Sequence, residues 1–231
     1  MAMRMAQNSP SSPWPPSNPR AKVIRTREGQ KQIPISDTAI GRVLDFLDET
    51  NLAENTLVIW YSDNGAFLLD ERRGLGYASN APLRDGGVTL YEGGIRVPAI
   101  VRWPGRIEPS SICSEPVISM DLTAMCLAAA GADPPGDRKL DGIDPTEVLA
   151  GEAPSRHDNL FWQWKQGRQG TWLAVRSGDL KLVRPGTEAA WELYNLRDDI
   201  GEKNDLAAEH PDRVAELKSK IETWLATVVE N

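Results

Sequence analysis

The chain has 231 residues, a formal net charge of -7 and a sequence pI of about 5.0, with 40% hydrophobic and 26% charged residues. Such a length can bury a sizeable core in one large domain or one and a half smaller ones. The acidic balance argues against nucleic acid or an anionic membrane as a general partner. No stretch approaches the roughly 20 consecutive apolar residues of a membrane span, and the N-terminus, with Met1, Met3, Arg4 and Met5, has no apolar core of a secretory signal.

Residues 1–35 carry Ser9-Pro10-Ser11-Ser12-Pro13-Trp14-Pro15-Pro16 and then basic residues, with little apolar periodicity, and read as a tail or loop. Ser36 or Asp37 can cap a helix in which Ile40, Val43, Leu44 and Leu47 share one face, ending near Asn51. Leu57 to Tyr61, uncharged and rich in β-branched and aromatic residues, has the composition of a strand covered on both faces in a parallel sheet. It ends in Asp63 and Asn64, hard oxygen donors suited to Ca²⁺ or Mg²⁺, and then in Gly65, where the backbone can turn without steric cost. The same letters also make an ordinary turn.

Val97 to Trp103 reads as a second core strand, and Met120 to Ala130 as a helix stopped by Gly131. Cys126 is expected to be a buried thiol of that helix; with Cys113 it forms neither a disulfide framework nor a metal-ligand spacing. From about residue 159 come short aromatic-rich strands, Leu160 to Trp164, Trp172 to Arg176, Leu180 to Arg184 and Trp191 to Tyr194, separated by turns at Gly178-Asp179 and Pro185-Gly186. A final helix after His210-Pro211 puts Val214, Leu217, Ile221, Trp224 and Leu225 on one face, to pack against a small antiparallel sheet. Trp162, Trp164, Trp172, Trp191 and Trp224 are expected to be its core rather than a sugar-stacking platform. The division is a tail at 1–35, an α/β core at 36–150 and a C-terminal subdomain at 151–231.

Ala81-Pro82-Leu83-Arg84-Asp85-Gly86-Gly87-Val88-Thr89-Leu90-Tyr91-Glu92-Gly93-Gly94-Ile95-Arg96-Val97-Pro98 follows the Asp-Asn pair. The two motifs, in this order, resemble the C-terminal portion of the sulfatases. The resemblance continues through Arg102-Trp103-Pro104-Gly105-Arg106-Ile107 and the tail phrase Glu192-Leu193-Tyr194-Asn195-Leu196, with Asp198, Glu202, Asn204 and Leu206 at familiar positions. It implies an alkaline-phosphatase-like layered α/β core followed by a small antiparallel sheet with a C-terminal helix. It also implies that Asp63 and Asn64 ligate Ca²⁺ or Mg²⁺, and that the parent activity is hydrolysis of sulfate esters on a small molecule or glycan.

Sulfatases use a formylglycine nucleophile made from Cys or Ser in a Cys/Ser-x-Pro-x-Arg motif, with a further pair of metal-binding aspartates, a Lys-x-His and another histidine upstream. None has a counterpart here, so the chain is expected to bind its metal weakly, Ca²⁺ needing about 6 to 8 oxygen ligands, and to be inactive alone. Glu152-Ala153-Pro154-Ser155-Arg156 matches the last three letters of the nucleophile motif but is expected to be a structural loop, with His157 and His210 as surface residues. The family commonly has a lysine where Gly87 falls; Arg84 could supply a cation to sulfate, or be a structural loop residue. A non-catalytic module that binds sulfated glycans or a separate N-terminal half is the alternative, and a phosphatase of the same superfamily a third reading. Compartment stays open: cytoplasmic if made as written, with an exported parent equally compatible.

Overall fold

The computed structural model describes residues 32–68, 79–134, 136–137, 139–166 and 170–229, with the side chains of 32–36 left aside; the expected tail at 1–31 lies outside them. The chain divides into two compact units. Among the described residues the first contains 32–62 and 97–156, and the second contains 63–68, 79–96 and 157–229.

The first unit opens with α1 (Gln32–Glu49), so Ser36 and Asp37 lie inside the helix rather than capping it. Its first turn tolerates Pro34, because the amides of that turn have no acceptor within the helix. Of the expected apolar face Leu44 is buried, whereas Val43 is 56% exposed. A 3₁₀ turn at Ala53–Asn55 precedes β1 (Val58–Tyr61), which pairs antiparallel with β2 (Ala99–Arg102), Val58 facing Arg102 and Tyr61 facing Ala99. The expectation of a doubly covered strand in a parallel sheet is therefore corrected. β1 has one partner strand among the described residues, and Trp60 and Tyr61 are 37% and 44% exposed.

The β2 strand alternates as a half-buried strand should, with Ala99 and Val101 fully buried. These two join Val97, Val117, Leu122, Met125 and Leu149 in one core, against which Leu57, Ile59 and Trp103 pack. Leu122 and Met125 come from α3 (Ser119–Ala129), and Leu149 from the short α4 (Thr146–Ala150). Asp121, buried in the first turn of α3, accepts from the amides of Ile118 and Ile143 at 2.9 and 2.8 Å. Cys126 is exposed, contrary to the sequence reading. At about 100° per residue it stands a full step beyond Met125, on the flank of the helix. Cys113 is the buried thiol, and burial raises its pKa.

The second unit is built on an antiparallel meander, β3 (Leu160–Gln166), β4 (Gly170–Ser177), β5 (Leu180–Arg184) and β6 (Glu192–Asn195), in sequence order. Side chains alternate between two covered faces. Leu173, Val175, Leu182 and Leu193 meet Leu217 and Ile221 of α5 (Pro211–Val229), where Phe161 stacks on Trp224 with ring centroids 5.2 Å apart. Trp172, Ala174, Val183 and Tyr194 point the other way, against Leu90, Tyr91 and Ile95. Trp172 is the buried tryptophan of the set, whereas Trp164 is 43% exposed and stands outside the expected core.

Candidate functional site

Asp63 and Asn64 occupy the first turn of the second unit. Asp63 is exposed, and its Oδ1 accepts from the Asn64 amide at 3.0 Å, an arrangement that fixes one oxygen and leaves the carboxylate at the surface. Gly65 then passes so close to Gly93 that a Cβ on it would lie 1.6 Å from the Gly93 carbonyl oxygen, and its amide donates to the Gly94 carbonyl at 2.9 Å. The residue after the donor pair is glycine because another backbone occupies the space of a side chain. Asn80 ties the loop down from the other side: it accepts from the Ala66 amide at 3.0 Å and donates to the carbonyls of Ala66 and Asp85 at 2.7 and 2.9 Å.

The segment below is α2 (Glu92–Ile95), a single turn containing Gly93 and Gly94. Gly93 donates to the Arg84 carbonyl at 2.8 Å, and a Cβ there would lie 2.1 Å from the Asp85 oxygen. Three backbone strands thus pack without side chains between them, which accounts for the glycines of the motif. Gly87 is a separate case. Its φ of +58° is a conformation L side chains rarely adopt, and a Cβ would meet the Phe67 ring at 2.7 Å. A lysine at this position conflicts with this local backbone.

Arg84 faces a carboxylate and two phenols. Its Nη1 donates to Glu192 Oε2 at 3.1 Å, to the Tyr194 hydroxyl at 2.6 Å and to the Glu202 carbonyl at 3.1 Å, and the guanidinium lies 3.8 Å from the centroid of the Tyr91 ring. Glu192 also accepts from the Tyr91 and Tyr194 hydroxyls at 2.9 and 2.6 Å. Burial lowers the arginine pKa, but Tyr91, Tyr194 and Glu192 together outweigh it and raise the value. Burial, then the bonds to Glu192, push both tyrosines well above the ordinary phenol range. The cluster joins the segment before α2 to β6 with one cation, one anion and two neutral hydroxyls.

Lys181 was not singled out by sequence. It sits on β5 between apolar neighbours, in register with Tyr194, and is completely buried. Its Nζ lies 2.9 Å from Glu92 Oε1 and 2.8 Å from Glu202 Oε1, while Glu202 Oε2 accepts from the Glu92 amide at 2.6 Å and Glu92 Oε2 accepts from Arg96 at 2.6 Å. Burial alone would raise the Glu92 pKa; Lys181 and then Arg96 overcome it and hold the group at about 2. Burial keeps Glu202 above the usual carboxylate range despite Lys181. The available sequence signal was a lysine sharing a strand phase with Val183, together with Glu202 near the tail phrase.

The nucleophile-like Pro154-Ser155-Arg156 belongs to a loop in the first unit. Ser155 donates from its hydroxyl to the Pro116 carbonyl at 2.7 Å and from its amide to Glu115 at 2.9 Å, and Arg156 donates to the Asp144 carbonyl at 2.9 Å. These are structural ties. Among the described residues no group of three or more His, Cys, Asp or Glu side chains is gathered as a metal cluster.

Comparison with known proteins places this arrangement. Residues 29–132 match the family model described as "Sulfatase", and residues 87–230 match "N-sulphoglucosamine sulphohydrolase, C-terminal". A "Sulfatase" of Formosa agariphila is 34% identical over 219 residues, covering 84% of this chain. The chain belongs to the sulfatase family. This sulfatase chain is also 40% identical over 158 residues to the N-acetylgalactosamine-6-sulfatase of Canis lupus familiaris, covering 68% of its own length and 29% of that protein. The solved structure of Ps i-CgsB in complex with k-i-k-neocarrahexaose superposes with a TM-score of 0.76 at 26% identity, covering 87% of this chain and 44% of that one. A phosphonate monoester hydrolase from Silicibacter pomeroyi, 24% identical with a TM-score of 0.61, shares the fold. The chain spans 38% of the length of the Formosa agariphila relative, and its fold is that of the alkaline-phosphatase-like sulfatases.

Proposed function

We propose that this chain forms the C-terminal portion of a sulfate-ester hydrolase acting on a sulfated glycan or small molecule, with Asp63 and Asn64 as two oxygen donors to Ca²⁺ or Mg²⁺. The observation that carries this reading is the seating of the Asp63-Asn64 turn on the Tyr91-Glu92-Gly93-Gly94 turn through the Gly65 to Gly94 bond of 2.9 Å. A carboxylate and an amide oxygen fit a hard cation, and the crowded backbone at Gly65 holds their turn. They fit as part of a shell and not as a whole one, so affinity in this chain is expected to be weak. A cation held there would draw off negative charge from sulfate oxygens. Arg84, whose Nη1 is engaged by Glu192, Tyr194 and the Glu202 carbonyl, enters this reading as the residue that fixes the loop carrying the motif.

No Cys/Ser-x-Pro-x-Arg occurs in the 231 residues, so the formylglycine route belongs to residues outside this sequence and the chain alone is expected to be inactive. The experiment is aryl-sulfate turnover by the 231-residue protein alone and after co-expression with the N-terminal part of the Formosa agariphila relative. Turnover only in the second case supports the reading. Robust turnover by the chain alone would refute it. A second reading, a module that completes or binds a separate N-terminal half, is favoured by β1 having one partner strand among the described residues and by the exposure of Trp60 and Tyr61. Association without turnover in the same co-expression would favour it.

A further inference from the structure

The turn that supports Asp63 and Asn64 is weak by its own chemistry. Four residues make one helical turn, too short to hold itself, and two of them, Gly93 and Gly94, are among the poorest helix formers. They cannot be replaced by stiffer residues, since added Cβ atoms would lie 2.1 Å from the Asp85 and Thr89 carbonyl oxygens. The conformation must be imposed from outside.

The buried charges do this at Glu92, the first residue of the turn. Its amide donates to Glu202, one carboxylate oxygen meets Lys181 and the other meets Arg96, so backbone and side chain are held in three directions. Lys181 and Glu202 have fully buried side chains and that of Glu92 is 4% exposed. Buried ion pairs are a poor source of stability compared with apolar residues of the same volume, and their best-attested use is to fix one geometry. Among the described residues Lys181 is the side chain that meets both carboxylates, and without it two buried anions would share the site.

We propose that Lys181 is a positioning residue for the Asp63–Asn64 turn: through Glu92 it holds α2, on whose Gly94 carbonyl the Gly65 amide rests. The inference rests on the reading of Asp63 and Asn64 as metal donors. It concerns a part of the molecule well removed in sequence from that pair, and it assigns a role to a fully buried strand residue.

The test is amide hydrogen exchange of the full chain, comparing Gly65 with Val175 at the centre of β4, together with titration by calcium alone. In Lys181→Met, protection at Gly65 is expected to fall about tenfold more than at Val175, with calcium affinity falling in parallel. Equal loss at the two amides, or wild-type calcium binding that the variant leaves unchanged, overturns the proposal. Should Lys181→Met fail to fold, Glu92→Gln, which keeps volume and removes the charge that Lys181 pairs with, is expected to produce a selective loss of about threefold at Gly65. Equal change in that variant likewise overturns it. A wild-type chain that takes up no calcium refutes the metal reading, while the exchange ratio still decides whether Lys181 holds the turn.

Discussion

Replacing Glu92 by Gln removes one charge from the buried cluster while keeping its volume. In the folded chain Glu92 is held at about 2, against an ordinary 4.5, because Lys181 and Arg96 outweigh burial. A difference of some 2.5 units at 1.36 kcal/mol each gives about 3 kcal/mol, of the order found on breaking a buried pair. The sign follows from linkage: a carboxylate with a lowered folded pKa contributes fully above its unfolded value and loses that contribution as pH falls toward the folded one. Glu92→Gln should therefore cost about 3 kcal/mol at pH 7 and about 2 kcal/mol at pH 3.5, the variant lacking this part of the acid sensitivity. Urea unfolding followed by tryptophan fluorescence at the two pH values measures both, since Trp162, Trp172 and Trp191 lie on or beside the sheet that carries Lys181. A cost below about 1 kcal/mol at pH 7, or one that does not change with pH, would refute the assignment of Glu92 as an ionised member of the cluster.

Two further outcomes are expected. Gly87→Lys, which writes the family's usual residue into this chain, should lower stability by about 1 to 2 kcal/mol because of the positive φ. It should bring no gain in sulfate affinity; thermal unfolding with and without inorganic sulfate reads both, and a stabilised variant would show the local backbone to be more tolerant than its φ of +58° and the Phe67 ring imply. A thiol reagent should label the native protein once and quickly, at exposed Cys126, with buried Cys113 reacting only on unfolding. Peptide mapping identifies the site, and rapid labelling of Cys113 would contradict its packing against Val117 and Leu149.

The elements most legible in sequence were those written in local pattern. The strands of the meander announced themselves by alternation and by turn residues such as Gly178-Asp179, the last helix by its apolar face from Val214 through Leu217 and Ile221 to Leu225, and the family by two motifs in order. Local pattern could not decide the direction in which β1 pairs, because an apolar run has the same composition in either sheet type. Nor could it orient Cys126, since an α3 of small and apolar residues carries almost no amphipathic signal around its circumference.

What tertiary structure alone decided is how distant residues meet. Glu92 and Lys181 are 89 positions apart and Glu92 and Glu202 are 110 apart, yet they form the buried cluster beneath the glycine turn. Periodicity reports which face a residue occupies and says nothing of what covers that face. The sequence by itself determined the glycines, the carboxylates and that Lys181 shares a strand phase with Val183, opposite Leu180 and Leu182. Their convergence, and with it the physical reason for a Glu-Gly-Gly turn next to an Asp-Asn-Gly turn, required the sheet to be folded against residues 79–96, because only close packing brings a lysine and two carboxylates together at one buried point.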